Sequence, residues 1–345
     1  MIWLTWRQFR ASAVTGLTAL AAFAVLLAVT SPGMTHIYDT SGLGACHSGC
    51  DGPANLFLRQ LEAAGTYQVL YEISIVIVLV APAIIGIFWG APLIAREIEA
   101  GTVRLAWNQS ITRGRWLAVK LALTGLAAMA AAELLSLMQA WWAGPIGRAA
   151  GLATDQSSLL AWGRLAPLVF ATHGITPLGY AAFAFTVGVT AGVIIRHPIP
   201  AMAVTLAIFA VVQFAMPTWV RPHLITPARL TRAFSPGTLT GLLQNSSGQM
   251  TVTDAVKIPG AWVISNQTIK PSGQVFTGPG PVACNRDTGM QACADALGKL
   301  NLRQLAFYQP ASRYWAFQYI ETGIFVVLAL LLAWFCFWWI RRRVS

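Results

Sequence analysis

Residues 71–94 read YEISIVIVLVAPAIIGIFWGAPLI, which is apolar at almost every position. A bilayer core is about 30 Å thick, and a helix needs about 20 apolar residues to cross it. Similar runs occur at about 11–30, 117–142, 166–195, 199–218 and 317–340. Only helices and closed barrels satisfy every backbone polar group in hydrocarbon, and barrel strands alternate in polarity, so these runs predict six transmembrane helices.

The composition agrees with a membrane protein. Hydrophobic residues make up 56% of the 345 positions and charged residues only 10%, whereas soluble domains carry about 25% charged residues. The formal charge of +11 could indicate nucleic-acid binding. The basic residues lie mostly beside apolar runs, however, so contact with membrane lipids explains them and no nucleic-acid partner is expected.

The short loops predict the orientation of the six helices. If the helices alternate in direction, eleven basic residues fall on one side in short segments: Arg7, Arg10, Arg96, Arg104, Arg113, Arg115, Lys120, Arg196, Arg341, Arg342 and Arg343. Basic loops stay inside, so we expect a multi-pass plasma-membrane protein with both termini cytoplasmic. The opening MIWLTWRQFR suggests a short interfacial elbow helix, with Trp3 and Trp6 at headgroup depth. A cleaved signal peptide is the alternative for the first run, but that run is long for one.

We therefore predict an all-α polytopic membrane protein with a small α+β extracytoplasmic domain between the fifth and sixth helices. Residues 1–218 hold the elbow helix and five spans, 219–316 the external domain, and 317–345 the sixth span with a basic cytoplasmic tail. Within the external domain, 249–270 alternates like short strands and 290–308 has helical periodicity.

Four cysteines fall in segments predicted to lie outside the membrane, where conditions favour disulfides. Of the three possible connectivities, we predict the local pairs Cys46–Cys50 and Cys284–Cys293. CHSGC at 46–50, with His36 nearby, could instead bind a metal, but no second ligand pair completes such a site, so we predict none.

Residues 95–116, AREIEAGTVRLAWNQSITRGRW, form a polar hinge between the second and third apolar runs. Arg96, Glu97 and Glu99 would extend the second helix until Gly101 ends it. Thr102 could cap a short helix with Val103 and Trp107 on one face, and Ser110 or Thr112 could cap the third span. Such an amphipathic ridge suits docking to another protein. The alternative is a solvated loop with interfacial anchors.

The hinge resembles the segment between the second and third spans of type V ABC exporter permeases. The resemblance rests on Arg-Glu-x-Glu-x-Gly-Thr at 96–102, a following Leu and a Lys inside the next helix. The flanking GAPLIARE and RGRWLAVKL are similar to actinobacterial members of that group. A proline common after this segment is absent here, with Asn108 to Thr112 in its place. The resemblance implies a coupling helix at 95–112 that contacts a cytoplasmic ATPase through Arg96, Glu97, Glu99, Gly101, Thr102, Arg104, Leu105 and Trp107.

The resemblance also implies a location, the bacterial plasma membrane, and the composition of the assembly. The chain has no Gly-x-x-x-x-Gly-Lys-Ser/Thr loop, so it would be a permease subunit and not an enzyme. It would carry no cofactor, and ATP and Mg would bind to the partner ATPase. Two ATPase copies and a second permease copy, identical or related, would complete an exporter for a hydrophobic small molecule, lipid or peptide.

Ionisable or polar groups inside spans are functional candidates by default. Glu133, Gln139, His173 and Glu321 are our candidates for a substrate path, with His173 beside Gly174 and Pro177, where the fourth helix could break. Each could instead be satisfied by a neighbouring helix. A membrane-embedded enzyme is disfavoured because the histidines are scattered and no span carries two Asp. A receptor that senses an extracellular ligand with its external domain remains the alternative function.

Overall fold

A computed structural model describes residues 2–100, 112–153, 158–235, 239–244, 249–254, 256, 258–279, 281, 284 and 290–343. Its α-helices are α1 (Ile2–Thr40), α2 (Asp51–Ala64), α3 (Thr66–Ile85), α4 (Pro92–Glu99), α5 (Arg113–Trp142), α6 (Gly144–Leu152), α7 (Pro167–Thr172), α8 (Thr176–Ile195), α9 (Pro198–Ala215), α10 (Arg221–Leu224), α11 (Met290–Gly298) and α12 (Tyr314–Arg343). The strands are β1 (Ala228–Ala233), β2 (Leu239–Gln244), β3 (Gln249–Asp254), β4 (Trp262–Ile269), β5 (Gly278–Pro279) and β6 (Arg303–Gln309).

The six predicted membrane helices are confirmed. The helical stretches long and apolar enough to span are Phe9–Thr40, Thr66–Glu99, Gly114–Trp142, Thr176–Ile195, Pro198–Leu224 and Ala311–Arg342. Two of them contain a π-helical turn, Gly86–Gly90 after α3 and Met216–Val220 after α9. The separate N-terminal elbow helix is not found, because α1 runs without a break from Ile2 to Thr40. No glycine or proline interrupts residues 2–15, so nothing local ends the helix there.

The helix α8 lies at the centre of the bundle. Nearly every residue from Thr176 to Val193 is buried, and α8 packs against α3, α4, α5, α9 and α12. It contacts the π-helical turn after α3, and both α8 and that turn carry glycines at the contact. A methyl group on Gly188 would lie 2.3 Å from the carbonyl oxygen of Gly86, and one on Gly90 would lie 2.5 Å from that of Phe185. The backbones touch, as small residues allow between membrane helices.

The fourth apolar run is not one helix over 166–195. It breaks after α7, at His173–Ile175, where Gly174 has a φ of 70°, and α8 begins at Thr176. Gln318 of α12 stabilises the break: its Nε2 donates to the carbonyl oxygen of His173 (2.9 Å) and its Oε1 accepts from the backbone N–H of Thr176 (3.0 Å). The backbone groups freed by the break therefore have partners.

At the end of the bundle where α1 finishes, α2 and α6 cover the ends of the spans. Phe57, Leu61 and Ile146 are fully buried there, and the indole N–H of Trp142 donates to Thr30 (3.0 Å). The loop before α2 is closed by the Cys46–Cys50 disulfide, and Cys284 bonds to Cys293. Both predicted pairings are confirmed.

Between the fifth and sixth spans, two three-stranded antiparallel sheets have the strand orders β1-β6-β4 and β2-β3-β5. The predicted helix over 290–308 is wrong beyond its first half. The helix α11 ends at Gly298, Asn301 takes a φ of 51°, and residues 303–309 form β6. As the middle strand, β6 bonds to β1 and β4 on its two sides, so pairing overrides the local periodicity. The fifth span continues to Leu224 and α12 starts at Tyr314, so the segment between them is 225–313.

Candidate functional site

The described residues around the polar hinge form two helix ends. The helix α4 carries the second span to Glu99, where the N–H of Ala100 donates to the carbonyl oxygen of Arg96 (3.0 Å). The third span begins at Arg113, and the Thr112 hydroxyl caps it by accepting from the N–H of Arg115 (3.3 Å). The predicted site residues Gly101, Thr102, Arg104, Leu105 and Trp107 lie outside the described residues.

An ion pair joins the two flanks of the hinge. The Nζ of Lys120 in α5 donates to Oε1 of Glu97 in α4. The Lys120 side chain is 3% exposed and that of Glu97 15%, and Nζ also lies 5.0 Å from the centre of the Trp116 ring. The sequence had suggested that Glu97 faces a partner protein. In the structure its carboxylate binds Lys120 of the same chain, so it braces the hinge.

Glu99 lies in a more open position. Its carboxylate is 3.1 Å from Nδ1 of His197, and the two side chains are 49% and 66% exposed. His197 follows Arg196, which ends α8 in the left-handed region with a φ of 64°. The contact therefore links the second span to the connection between the fourth and fifth spans, and it leaves part of the Glu99 carboxylate accessible.

Other basic groups lie at this same end of the bundle. Arg96 is exposed and lines a cavity of about 260 Å³ with Phe9, Trp89 and Lys120. Arg341, near the end of α12, lines a second cavity of about 600 Å³ with Thr112 and Arg115. The N-terminal part of α1, both hinge flanks and the end of α12 thus share one basic face.

Inside the bundle, α5 turns a polar stripe towards the break in the fourth run. The buried Ser136 hydroxyl lies within 3.1 Å and 3.2 Å of the carbonyl oxygens of Thr172 and Gly174. Gln139, also buried, donates to Ser74 (3.4 Å). Glu133 lies one turn before Ser136 and is partly buried, and within the described chain its Oε2 has no hydrogen-bond partner. Three polar groups thus lie at three-residue spacing on α5, and the middle one, Ser136, contacts the carbonyl groups of the break.

The other two path candidates have local partners. The Nδ1 of His173 lies 2.9 Å from the carbonyl oxygen of Val169. Glu321 is completely buried, its carboxylate accepting from Nε (2.8 Å) and Nη2 (2.9 Å) of Arg221 and from the hydroxyl of Tyr180. Sequence reasoning missed Arg221, although an arginine at the end of the fifth apolar run was a visible signal. No cluster of three potential metal ligands is found among the described residues.

Six apolar helices in the described residues indicate a multi-pass membrane protein. The family model described as ABC-2 membrane transporter related matches residues 17–221, which is more than half of the 345 residues. The chain belongs to this family and is an ABC-2 type permease, a transport component that in general works with an ABC ATPase. No curated protein and no solved structure matches the chain significantly.

Proposed function

We propose that the chain is the membrane subunit of an ATP-driven exporter of the type V class. Residues 95–112 would form the cytoplasmic element that receives motion from a separate ATPase. Family membership supports the transport role over the receptor alternative. The observation that carries the coupling role is the Glu97–Lys120 ion pair, which ties together the two helices on either side of the hinge.

A force on the hinge is transmitted to the spans only if the contacts between them are rigid. Here the second span continues as helix to Glu99, and Lys120 lies eight positions into α5. Because both partners are largely shielded from water, separating them would leave a charge without compensation, at a cost of about 3–5 kcal/mol. A displacement of the hinge therefore moves the second and third spans together.

The force would reach further elements through two routes. The Glu99–His197 contact connects α4 to the start of the fifth span. The touching backbones at Gly86 and Gly188 connect the second span to the central α8. Packed helices move as rigid units, so pulling the second span would rock the bundle between access states. The accessible part of Glu99 is the carboxylate best placed to meet basic groups of the ATPase.

The proposed assembly has two permease copies, identical or related, and two ATPase subunits that bind ATP and Mg. The polar stripe of Glu133, Ser136 and Gln139 would line the route of a hydrophobic small molecule, lipid or peptide. The basic face, which bears the hinge, would lie in the cytoplasm with both termini, and residues 225–313 outside the cell.

Charge exchange tests the brace. The chain is purified with its ATPase, and ATP hydrolysis and co-purification are measured for Glu97→Lys, Lys120→Glu and the double exchange. Each single variant sets like charges against each other, and we expect permease-dependent ATP hydrolysis to fall by about tenfold or more. The double exchange restores an opposite-charge pair, so hydrolysis should return to within about threefold of the original.

Asp295→Lys is the matched control, because it changes an exposed carboxylate between the fifth and sixth spans in the same way. It should leave hydrolysis unchanged. The coupling role is wrong if the double exchange is as impaired as the single variants while the protein stays folded. It is also wrong if no ABC ATPase co-purifies with the unmodified chain.

A further inference from the structure

A cavity of about 710 Å³ opens at the end of the bundle opposite the hinge. It lies where the end of α1, the disulfide-closed loop, α6 and the start of α12 come together, against the turn at Pro259 and Gly260. The side chains used in the argument below are Tyr38, Arg148, Leu152, Arg164, Tyr314 and Trp315. None of them belongs to the hinge, and Tyr314 also borders the break, with its hydroxyl 2.9 Å from where a methyl group on Gly174 would lie.

The charged side chains that line this cavity, among the described residues, are both arginines. Arg148 and Arg164 both line it, and neither forms an ion pair with any residue that the structure describes. Arg148 lies over the Tyr38 ring at 4.9 Å, which orients its guanidinium group. Arg164 approaches α6, the helix that carries Arg148: its Nε would be 3.8 Å from a methyl group on Gly147. Arg164 therefore reaches α6 next to Arg148, and no acidic side chain is among the described lining residues.

The cavity is kept open by residues without side chains. A methyl group on Gly151 would meet no atom within 4 Å, although this glycine lies in α6 on the cavity wall. Gly260 reaches the cavity from the opposite side with a φ of 67°, which favours glycine. The available space is therefore larger than a single bound water or ion requires.

Its position along the spans indicates headgroup depth. Tyr38 lies at the end of the first span and Tyr314 at the start of the sixth. Trp315 and Tyr319 are exposed and their rings lie 6.0 Å apart on the outside of α12. Exposed aromatic residues at the ends of apolar helices are typical of the membrane–water interface.

We propose that this cavity binds a phosphate anion between Arg148 and Arg164. Arginine presents paired donors that match phosphate oxygens, and guanidinium groups without an ion pair in the described part of the chain attract a negative charge. Phospholipid headgroups and water-soluble phosphate esters share this chemistry. The exposed, apolar Leu152 and Trp315 on the lining give an attached acyl chain a surface to contact.

The test measures binding to the purified full chain in neutral detergent, without the ATPase, so its outcome is independent of the coupling proposal. The probes are phosphatidylglycerol, diacylglycerol with the same chains, and glycerol 3-phosphate, followed by native mass spectrometry. We expect phosphatidylglycerol to bind at least about tenfold more tightly than diacylglycerol. Arg148→Gln combined with Arg164→Gln should remove that difference.

Two further variants separate charge from shape. Gly151→Leu fills the cavity while leaving both arginines in the chain, and it should weaken binding by a similar factor. Arg229→Gln changes an exposed arginine on β1 and should have no effect. Arginine-dependent binding of phosphatidylglycerol alone identifies a lipid headgroup, and arginine-dependent binding of glycerol 3-phosphate as well identifies a soluble phosphate ester. If neither probe depends on the two arginines in a folded protein, the cavity is not a phosphate site.

Discussion

Arg221 and Glu321 form an ion pair whose side chains have no exposed surface. Such a pair is stable only when its remaining hydrogen-bonding groups also have partners. Here Nη1 of Arg221 donates to the carbonyl oxygen of Pro167 (3.2 Å), and the guanidinium lies 4.3 Å from the centre of the Phe170 ring. The pair therefore joins the end of the fifth span to α7 and to the sixth span.

Replacing Glu321 by Gln should destabilise the protein strongly. The buried Arg221 charge would lose its counter-charge, and the expected loss is about 3–5 kcal/mol in the free energy of unfolding. Thermal and denaturant unfolding of the purified protein would measure it. Glu72→Gln is the control, because Glu72 makes only a local hydrogen bond to Gln68 (3.0 Å), which contributes about 0.2–0.5 kcal/mol. Equal stability of the two variants would contradict a structural role for the Arg221 pair.

Residue partners were predictable from the sequence only where they are close along the chain. The local cysteine pairs and the Thr112 cap follow from spacing and residue type. Glu97 instead finds a partner 23 positions away, and Arg221 one 100 positions away. The sequence does not show whether a carboxylate near a helix end pairs with a residue of the same chain or with another protein. Tertiary packing determines which of the two occurs.

The contact between the second and fourth spans depends on two glycine pairs. Gly86 and Gly90 lie four positions apart, as do Gly188 and Gly192. This spacing places small residues on one face of a helix and favours close backbone approach. The spacing was visible in the sequence, but it does not say which helices meet. In the structure Gly188 contacts Gly86 and Gly90, whereas Gly192 lies against Ala91.

Gly188→Ala should weaken this contact. The added methyl group would lie 2.3 Å from the carbonyl oxygen of Gly86 and 2.8 Å from the backbone nitrogen of Ala91, so one helix must move. Overpacking of this kind costs about 1–3 kcal/mol, which unfolding in detergent would detect. Gly323→Ala is the control: it lies in α12 with no atom within 4 Å and should stabilise the helix by about 0.5–1 kcal/mol. If both variants are as stable as the original, the backbones are not in contact.

Element type was predicted well for the long apolar runs and poorly at two other places. Apolar length alone identifies a spanning helix, because the bilayer imposes it. Residues 303–309 have no such constraint, and they become a strand because β1 and β4 both pair with them. The N-terminal residues join α1 because no glycine or proline interrupts residues 2–15.

The structure separates two chemically different ends of the molecule. Phe9, near the start of α1, lies beside Arg96 and Lys120. Tyr38, near its end, lies beside Cys46 and the turn at Gly260. The 39 residues of α1 extend roughly 58 Å at about 1.5 Å per residue, more than a bilayer core. The basic hinge and the disulfides therefore lie on opposite sides of any membrane that these helices span.

Thiol labelling of intact cells decides which side is which. After mild reduction, a membrane-impermeant maleimide should label Cys46, Cys50 and Cys284, which are partly exposed. Cys293 should react slowly and Cys336 not at all, because both are buried. In a variant without these cysteines, Ala100→Cys places a thiol at the exposed end of α4 and should react only after the cells are permeabilised. This orientation is expected because basic loops are retained in the cytoplasm. Labelling of Ala100→Cys in intact cells would show the reverse orientation. The hinge would then lie outside the cell, where no cytoplasmic ATPase can reach it.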